Sequence, residues 1–335
     1  MPIRRRGRPG AIHPTVTRVL LTVLLVLLVC PTPAAAAGSG PSAWSVRPAG
    51  AVTDGARRSA FSLDAAPGST IKDAVVISNL SEVPLSFQVY GTDAYNTPRD
   101  GALAYREAGQ AQQGVGRWVK LRTNALVIPA GRGAEIPFTL TVPPDATPGA
   151  HVGGIVALDN AVEQAGRDNG VDLGIQRAIA VRVQLTVGGP LTPGVGVRDV
   201  RLAHRPAGVP FRSGRATLRY TVVNTGNTVI QPSARPRATG LFGRTLKTFR
   251  TTRLPVLLPG QSTVITAVWD GAPPLDYVHA SVRVSAQGMP AASAETGSVL
   301  LSWTTVAVLL ALLALLALAL SQVRRRRRAR LEHTP

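Results

Sequence analysis

A single cysteine, Cys30, stands in the whole chain, and it falls in a segment read below as removed on export. The mature protein is therefore expected to hold no disulfide, no thiolate metal site and no cysteine nucleophile. Metal-ligand spacing is missing as well. His151, His204 and His279 lack the neighbours of a zinc site. Asp168, Asn169 and Asp172 lack the ordered loop of an EF-hand. No Gly-x-Ser-x-Gly elbow occurs. Asp93 and Asp100 share a loop with Tyr95 and Tyr105, so a carboxylate pair for glycan hydrolysis can be drawn. Any polar loop carries such residues, and the reading is of a non-enzyme without cofactor or metal. Acidic residues are missing altogether from Val200 to Trp269.

The two ends carry what is plainly present. Val299 to Leu320 is uncharged and rich in Leu, Ala and Val, and Arg324 to Arg328 and Arg330 follow it. As a helix rising about 1.5 Å per residue, this run is long enough to cross a bilayer. The arginines after it mark a cytoplasmic end. At the front, Arg4, Arg5, Arg6, Arg8 and Arg18 precede a short apolar core, Val19 to Val29. Pro31 and Pro33 then break the pattern, and Ala34 to Ala37 offer small residues for cleavage after Ala36 or Ala37. This is the pattern of a secretory signal peptide at residues 1–37. An uncleaved anchor would give the same topology. A lipoprotein reading of Cys30 is disfavoured because Val29 is not small. The expected topology is type I in the cell membrane, with the bilayer contacted through Val299–Leu320.

Charge is unevenly spread. Trp44 to Gly188 holds 13 basic and 13 acidic residues, whereas Gly189 to Gly297 holds 13 against 4. Much of the formal +19 thus belongs to targeting and topology, and no nucleic-acid partner is implied. A basic exported domain close to a membrane suits anionic lipid headgroups or wall polymers.

The region between reads as strands. Val75-Val76-Ile77, Leu85 to Tyr90, Ile136 to Val142 and Ile179 to Leu185 are apolar or alternating runs separated by Pro, Gly, Asn and Asp turns. The expected fold is all-β: two tandem Ig-like antiparallel β-sandwiches, at 38–188 and 189–290, then a linker at 291–298, the span at 299–320 and a basic tail at 321–335. One grammar occurs twice. A strand runs into Asn79 and a turn, and a later Pro129-Ala130-Gly131 opens another strand. In the second half Asn224 and Leu258-Pro259-Gly260 play the same parts.

Two polar insertions, Asp93–Gly116 and Asp159–Gly174, are the expected binding loops. Tyr90, Asp93, Tyr95, Asn96, Arg99 and Tyr105 could combine an aromatic platform with polar groups, as a sugar site requires. In the second domain Arg235, Arg237, Arg244, Lys247, Arg250 and Arg253 surround Gly240 to Gly243, a spacing that fits a basic hairpin facing phosphate or carboxylate. Ser293-Ala294-Glu295-Thr296-Gly297 before the span has the order of a cell-wall sorting signal, with Ser293 where Leu is usual.

Several of these stretches carry a family resemblance. Ala60-Phe61-Ser62-Leu63 with Pro67-Gly68, Val75 to Ser81, Asp93 to Thr97 with Tyr105, and Gly153-Gly154-Ile155 after Pro148-Gly149 resemble, in order, motifs of the peptidoglycan-binding domain of the WxL-interacting protein family. The layout from signal peptide to basic tail is similar too. The chain departs from the family in lacking an early Asn-Gln pair and in having Asn96 directly after Tyr95. The resemblance implies peptidoglycan binding by the first domain and protein binding by the second. The expected function is a membrane-anchored surface protein that binds peptidoglycan or an anionic wall polymer, with a surface protein as a further partner. The alternatives are an export or assembly chaperone that pairs with a partner along a strand edge, and a wall-modifying hydrolase.

Overall fold

The computed structural model describes residues 44–50, 58–168 and 171–331. The expected signal peptide and its cleavage site, with Cys30, lie outside the described residues, as does Asn169. From Trp44 onward the chain forms one compact unit.

The first sandwich is built from β1 (Trp44–Pro48), β2 (Phe61–Ala65), β3 (Thr70–Asn79), β4 (Leu85–Asn96), β5 (Leu103–Tyr105), a one-turn helix α1 (Val115–Trp118), β6 (Val119–Leu121), β7 (Ala125–Ile128), β8 (Gly133–Thr141), β9 (Gly149–Asp159), a hairpin of β10 (Glu163–Asp168) and β11 (Val171–Ile175), and β12 (Ala178–Val187). One sheet has the order β1-β3-β8-β6, and the other β2-β12-β9-β4-β5 with β7 on the remaining half of β4. All these pairs are antiparallel except β2 on β12. The period of two is plain in β12: Val181, Val183, Leu185 and Val187 are buried while Arg182 and Gln184 are exposed. Aromatic pairs lock the sheets face to face. Trp44 of β1 meets Phe87 of β4 at 5.5 Å, and Phe61 of β2 meets Phe138 of β8 edge-on at 5.1 Å.

The second sandwich follows with β13 (Val195–Arg205), β14 (Gly214–Asn224), β15 (Ser233–Thr239), β16 (Thr245–Thr248), β17 (Thr252–Arg253), β18 (Ser262–Ala272), β19 (Leu275–Ser285) and β20 (Ala292–Leu301). Its sheets run β13-β14-β18 and β16-β15-β19-β20, with β17 on β15. Leu218, Tyr220 and Val222 pack against Val282 and Val284 across the core. The fold is thus two Ig-like β-sandwiches followed by one apolar helix, α2 (Trp303–Leu331).

The doubled grammar has a doubled cause. Asn79 ends β3, and its amide donates to the carbonyls of Val83 (2.8 Å) and Ile128 (3.0 Å) while its oxygen accepts from Ser81 N (2.9 Å). Asn224 ends β14 and repeats this with Thr228 (2.7 Å), Leu257 (3.0 Å) and Gly226 N (3.0 Å). Both side chains are buried, each tying its turn to the Gly-containing segment before the next strand.

Two boundaries differ from the sequence reading. Residues 291–298 are not a linker: most of them form β20, paired with β19 from Val284↔Ala292 to Leu275↔Leu301. The sorting-like stretch Ser293–Gly297 is therefore held inside a ladder. Small residues there hide a strand, because the Tyr277 ring lies over Gly297 and covers its missing side chain. Val299–Leu301 also belong to β20, so the helix begins only at Trp303. Ser302, with its carbonyl accepting from Val306 N at 3.0 Å, turns strand into helix without a spacer. Hydropathy alone does not separate the last strand residues from the first helical ones.

Candidate functional site

The first insertion is shorter as a loop than its sequence suggests, because β4 continues to Asn96. Glycines explain its shape. A Cβ on Gly153 would strike Thr92 O and Val115, and one on Gly154 would meet Tyr105 Cε1 at 2.8 Å. The paired glycines of β9 thus make room for α1 at Gly153 on one face of the strand and for the Tyr105 ring at Gly154 on the other. Asp93 holds α1 in place, its carboxylate accepting from Gln113 N, from Gly114 N at 3.0 Å and from Gly116 N at 2.8 Å. It is buried and its acceptor capacity is engaged by the backbone.

Asn96 is also buried, and it serves the junction between sandwiches. Its amide donates to Gly101 O (2.9 Å) and Val256 O (2.7 Å), and its oxygen accepts from Leu258 N (2.9 Å). Asn227 answers from the other side, donating to Pro148 O (3.0 Å) and Pro190 O (2.9 Å) while its own carbonyl accepts from Ala150 N (2.8 Å). Gly149, at φ 112, must be glycine because a Cβ would collide with Asn227.

The expected sugar-binding set does not converge. Asp93 and Asn96 are consumed structurally, and the Tyr105 ring packs over Gly154. Tyr90 is half-buried, and burial, then the nearby Glu107 charge, raises its phenol pKa. Arg99 is exposed on the turn after β4, where Asp100 is held below the usual carboxylate range first by the Thr97 hydroxyl and then by Ala102 N–H. Tyr95 lines a cleft beside the engaged Asp93, with Arg106 over its ring at 5.9 Å. This cleft, about 310 Å³, lies between the sandwiches and is lined also by His151, Asn227 and Gln261. The second insertion forms the β10–β11 hairpin.

The basic set divides too. Arg244 closes the 240–244 loop by binding the buried Asp276 at 2.7 Å. Lys247 stands opposite buried Ala238, on the inner side of the edge strand. Arg250 is exposed beyond β16. Arg235, Arg237 and Arg253 do share the outer face of the β15 sheet. They are joined there by His279 and by Arg283, which stands directly opposite Arg235. Among the described residues Arg235 and Arg237 hydrogen-bond only to the Thr251 and Thr245 hydroxyls. Among the described residues these four arginines have no carboxylate within ion-pair distance. Arg283 escaped the sequence reading because it lies more than 30 residues after the hairpin; only the strand register brings it there.

A second surface was also missed. β18 is eleven residues long and lies at the edge of its sheet, with β14 on one side. Among the described residues no strand pairs with its other side. It contains no Pro and no Lys, the usual blunting residues of a free edge. Asn224 N bonds Gln261 O at 2.9 Å and Val222 stands opposite Thr263. By the period of two, Val264, Thr266 and Val268 then point their N–H groups outward.

No protein-family model and no curated protein matches the chain. Solved structures do. It is similar to the class 5 fimbrial chaperone CfaA (11% identity over 72% of this chain and 97% of that one, TM-score 0.31). The YadV chaperone matches at 10% identity over 76% and 100%, TM-score 0.33. A chain from the Salmonella enterica SafA pilin–SafB chaperone complex matches at 11% over 76% and 96%, TM-score 0.30.

Proposed function

We propose that the chain is a non-enzymatic, membrane-anchored binding module that holds an extended segment of an exported partner protein along the free edge of β18. The unpaired, unprotected edge carries this reading. Main-chain hydrogen bonds would supply affinity, and Val264 and Val268 on the outer face would supply side-chain selectivity. The helix Trp303–Arg326 is long and apolar enough to anchor it. The sandwiches face outward and the arginines lie inside, on the positive-inside argument.

The test compares the full chain in detergent with its Thr266→Pro variant, using co-purification of co-exported proteins. Proline at an outward N–H of an edge strand spares the ladder to β14. Loss of a stoichiometric partner with an unchanged melting temperature supports the reading. Equal recovery of every partner by both forms rejects it.

A second reading rests on the outer face of the β15 sheet. Arg235, Arg237, Arg253 and Arg283 without carboxylate partners suit an anionic wall polymer. Co-sedimentation with insoluble peptidoglycan carrying its anionic polymers tests it: binding should fall steeply with salt and with Arg283→Glu.

A further inference from the structure

Two exposed phenylalanines have left-handed backbone conformations. Phe211 and Phe242 both sit at φ 58, a region L side chains with bulk rarely adopt. Phe242 is 103% exposed and Phe211 55%. The core gains nothing from either, so folding of the sandwich does not account for aromatic side chains at these strained positions.

Their position is specific. Phe211 lies between β13 and β14, and its N–H donates to Thr305 Oγ1 in the first turn of α2 at 3.0 Å. Phe242 lies between β15 and β16, where Leu241 N donates to Asp276 Oδ1 at 3.1 Å. Asp276 stands opposite Leu300, two residues before Ser302. The turn from β18 to β19 is at the same end, with Ser302 N donating to Pro274 O at 2.8 Å. Three inter-strand connections therefore gather where the helix leaves the sandwich. The contacts to the first sandwich, through Asn227 and Leu258, lie at the opposite strand ends.

This end is apolar and rimmed with cations. Val209, Leu241 and Leu275 are exposed beside the phenylalanines, and Trp303 opens the helix at 72% exposure. Arg205 and Arg212 flank the Phe211 loop. The nearby carboxylates are neutralised, Asp276 by Arg244 and Asp270 by Arg215. Aromatic rings beside basic side chains at the start of a span match the chemistry of the headgroup layer.

We infer that the span-proximal end of the second sandwich is a lipid-binding surface, which seats the domain on the outer leaflet by burying Phe211, Phe242 and Leu241 in the interface. The occupant is the bilayer that holds α2, since the apolar surface runs on directly into Trp303. The inference rests on α2 crossing the membrane.

Nitroxide labels on single cysteines in a Cys30→Ser background test it, with the full chain in nanodiscs of phosphatidylcholine and phosphatidylglycerol. Phe242→Cys and Phe211→Cys report the surface, Leu313→Cys the span and Arg283→Cys the aqueous face. The expected result is a severalfold higher ratio of oxygen to nickel-chelate collisions at 211, 242 and 313 than at 283. Labels at 211 and 242 that behave like 283, with 313 in lipid, overturn the seat and leave the span standing. Low collision rates of both reagents at 211 and 242 indicate a protein cover and overturn it too. An aqueous label at 313 removes the span and the seat together.

Discussion

Asn96 of the first sandwich accepts a hydrogen bond from the backbone N–H of Leu258 in the second at 2.9 Å, while its amide reaches Val256 O at 2.7 Å. One side chain thus satisfies a donor and an acceptor across the junction, the Leu258 N–H buried and the Val256 carbonyl partly so. Asn96→Ala leaves both unpaired, at about 1–3 kcal/mol for the buried Leu258 N–H. A lower melting temperature of the full chain in detergent, with faster proteolysis around 188–194, is the expected outcome. Asn96→Asp should be worse, since it keeps the acceptor but sets a carboxylate against the Val256 and Gly101 carbonyls.

Asn79 and Asn224 do the same work in separate sandwiches. Either alanine variant should destabilise its own domain by about 2–4 kcal/mol, from buried turn groups left unpaired. Hydrogen exchange on the full chain should show faster exchange near 81–83 and 128–131 in the first, and near 226–228 and 257–260 in the second.

The two glycines of β9 should differ. In Gly153→Ala the new methyl meets the backbone oxygen of Thr92, which the sheet fixes, and the expected loss is about 2–3 kcal/mol. In Gly154→Ala it meets the Tyr105 ring, which can swing aside. Denaturant titration should rank the first as the more damaging.

His204 gives the fold a pH dependence. Burial lowers its pKa below the ordinary 6.5, and its buried Nε2 has no hydrogen-bond partner among the described residues. The unfolded chain therefore takes up the proton first. The stabilising share is intact above about pH 6.5 and is lost as pH falls toward the folded value. Melting temperatures between pH 7.5 and 5 should decline, and His204→Gln should flatten that part of the slope.

Arg235 and Arg283 oppose each other across β15 and β19. Like charges at a directly opposed pair cost about 0.2–1 kcal/mol. Arg283→Glu should therefore raise the melting temperature slightly even as it weakens polymer binding. A fall in stability would mean that the two guanidiniums are not in conflict.

Strand positions were legible because β-branched alternation and Asn or Gly turns are local signals. The repeat between Asn79 and Asn224 was legible for the same reason. Asn96 was misread because a polar residue in a polar stretch looks solvent-facing, and its partners lie 160 and 162 residues away. β20 was missed because Ala, Ser, Glu and Gly carry little strand propensity, so pairing with β19 decides the matter. The β18 edge could not be read at all, since a free edge is a property of neighbours.

The strand-to-helix passage at Ser302 has a mechanical consequence. With no slack between β20 and the span, tension from a partner held on β18 would run along β20 itself. The ladder from Val284↔Ala292 to Leu275↔Leu301 would then be loaded in shear, its pairs sharing the force instead of parting one by one. The protein is tethered as a strut would be, not as a bead on a string.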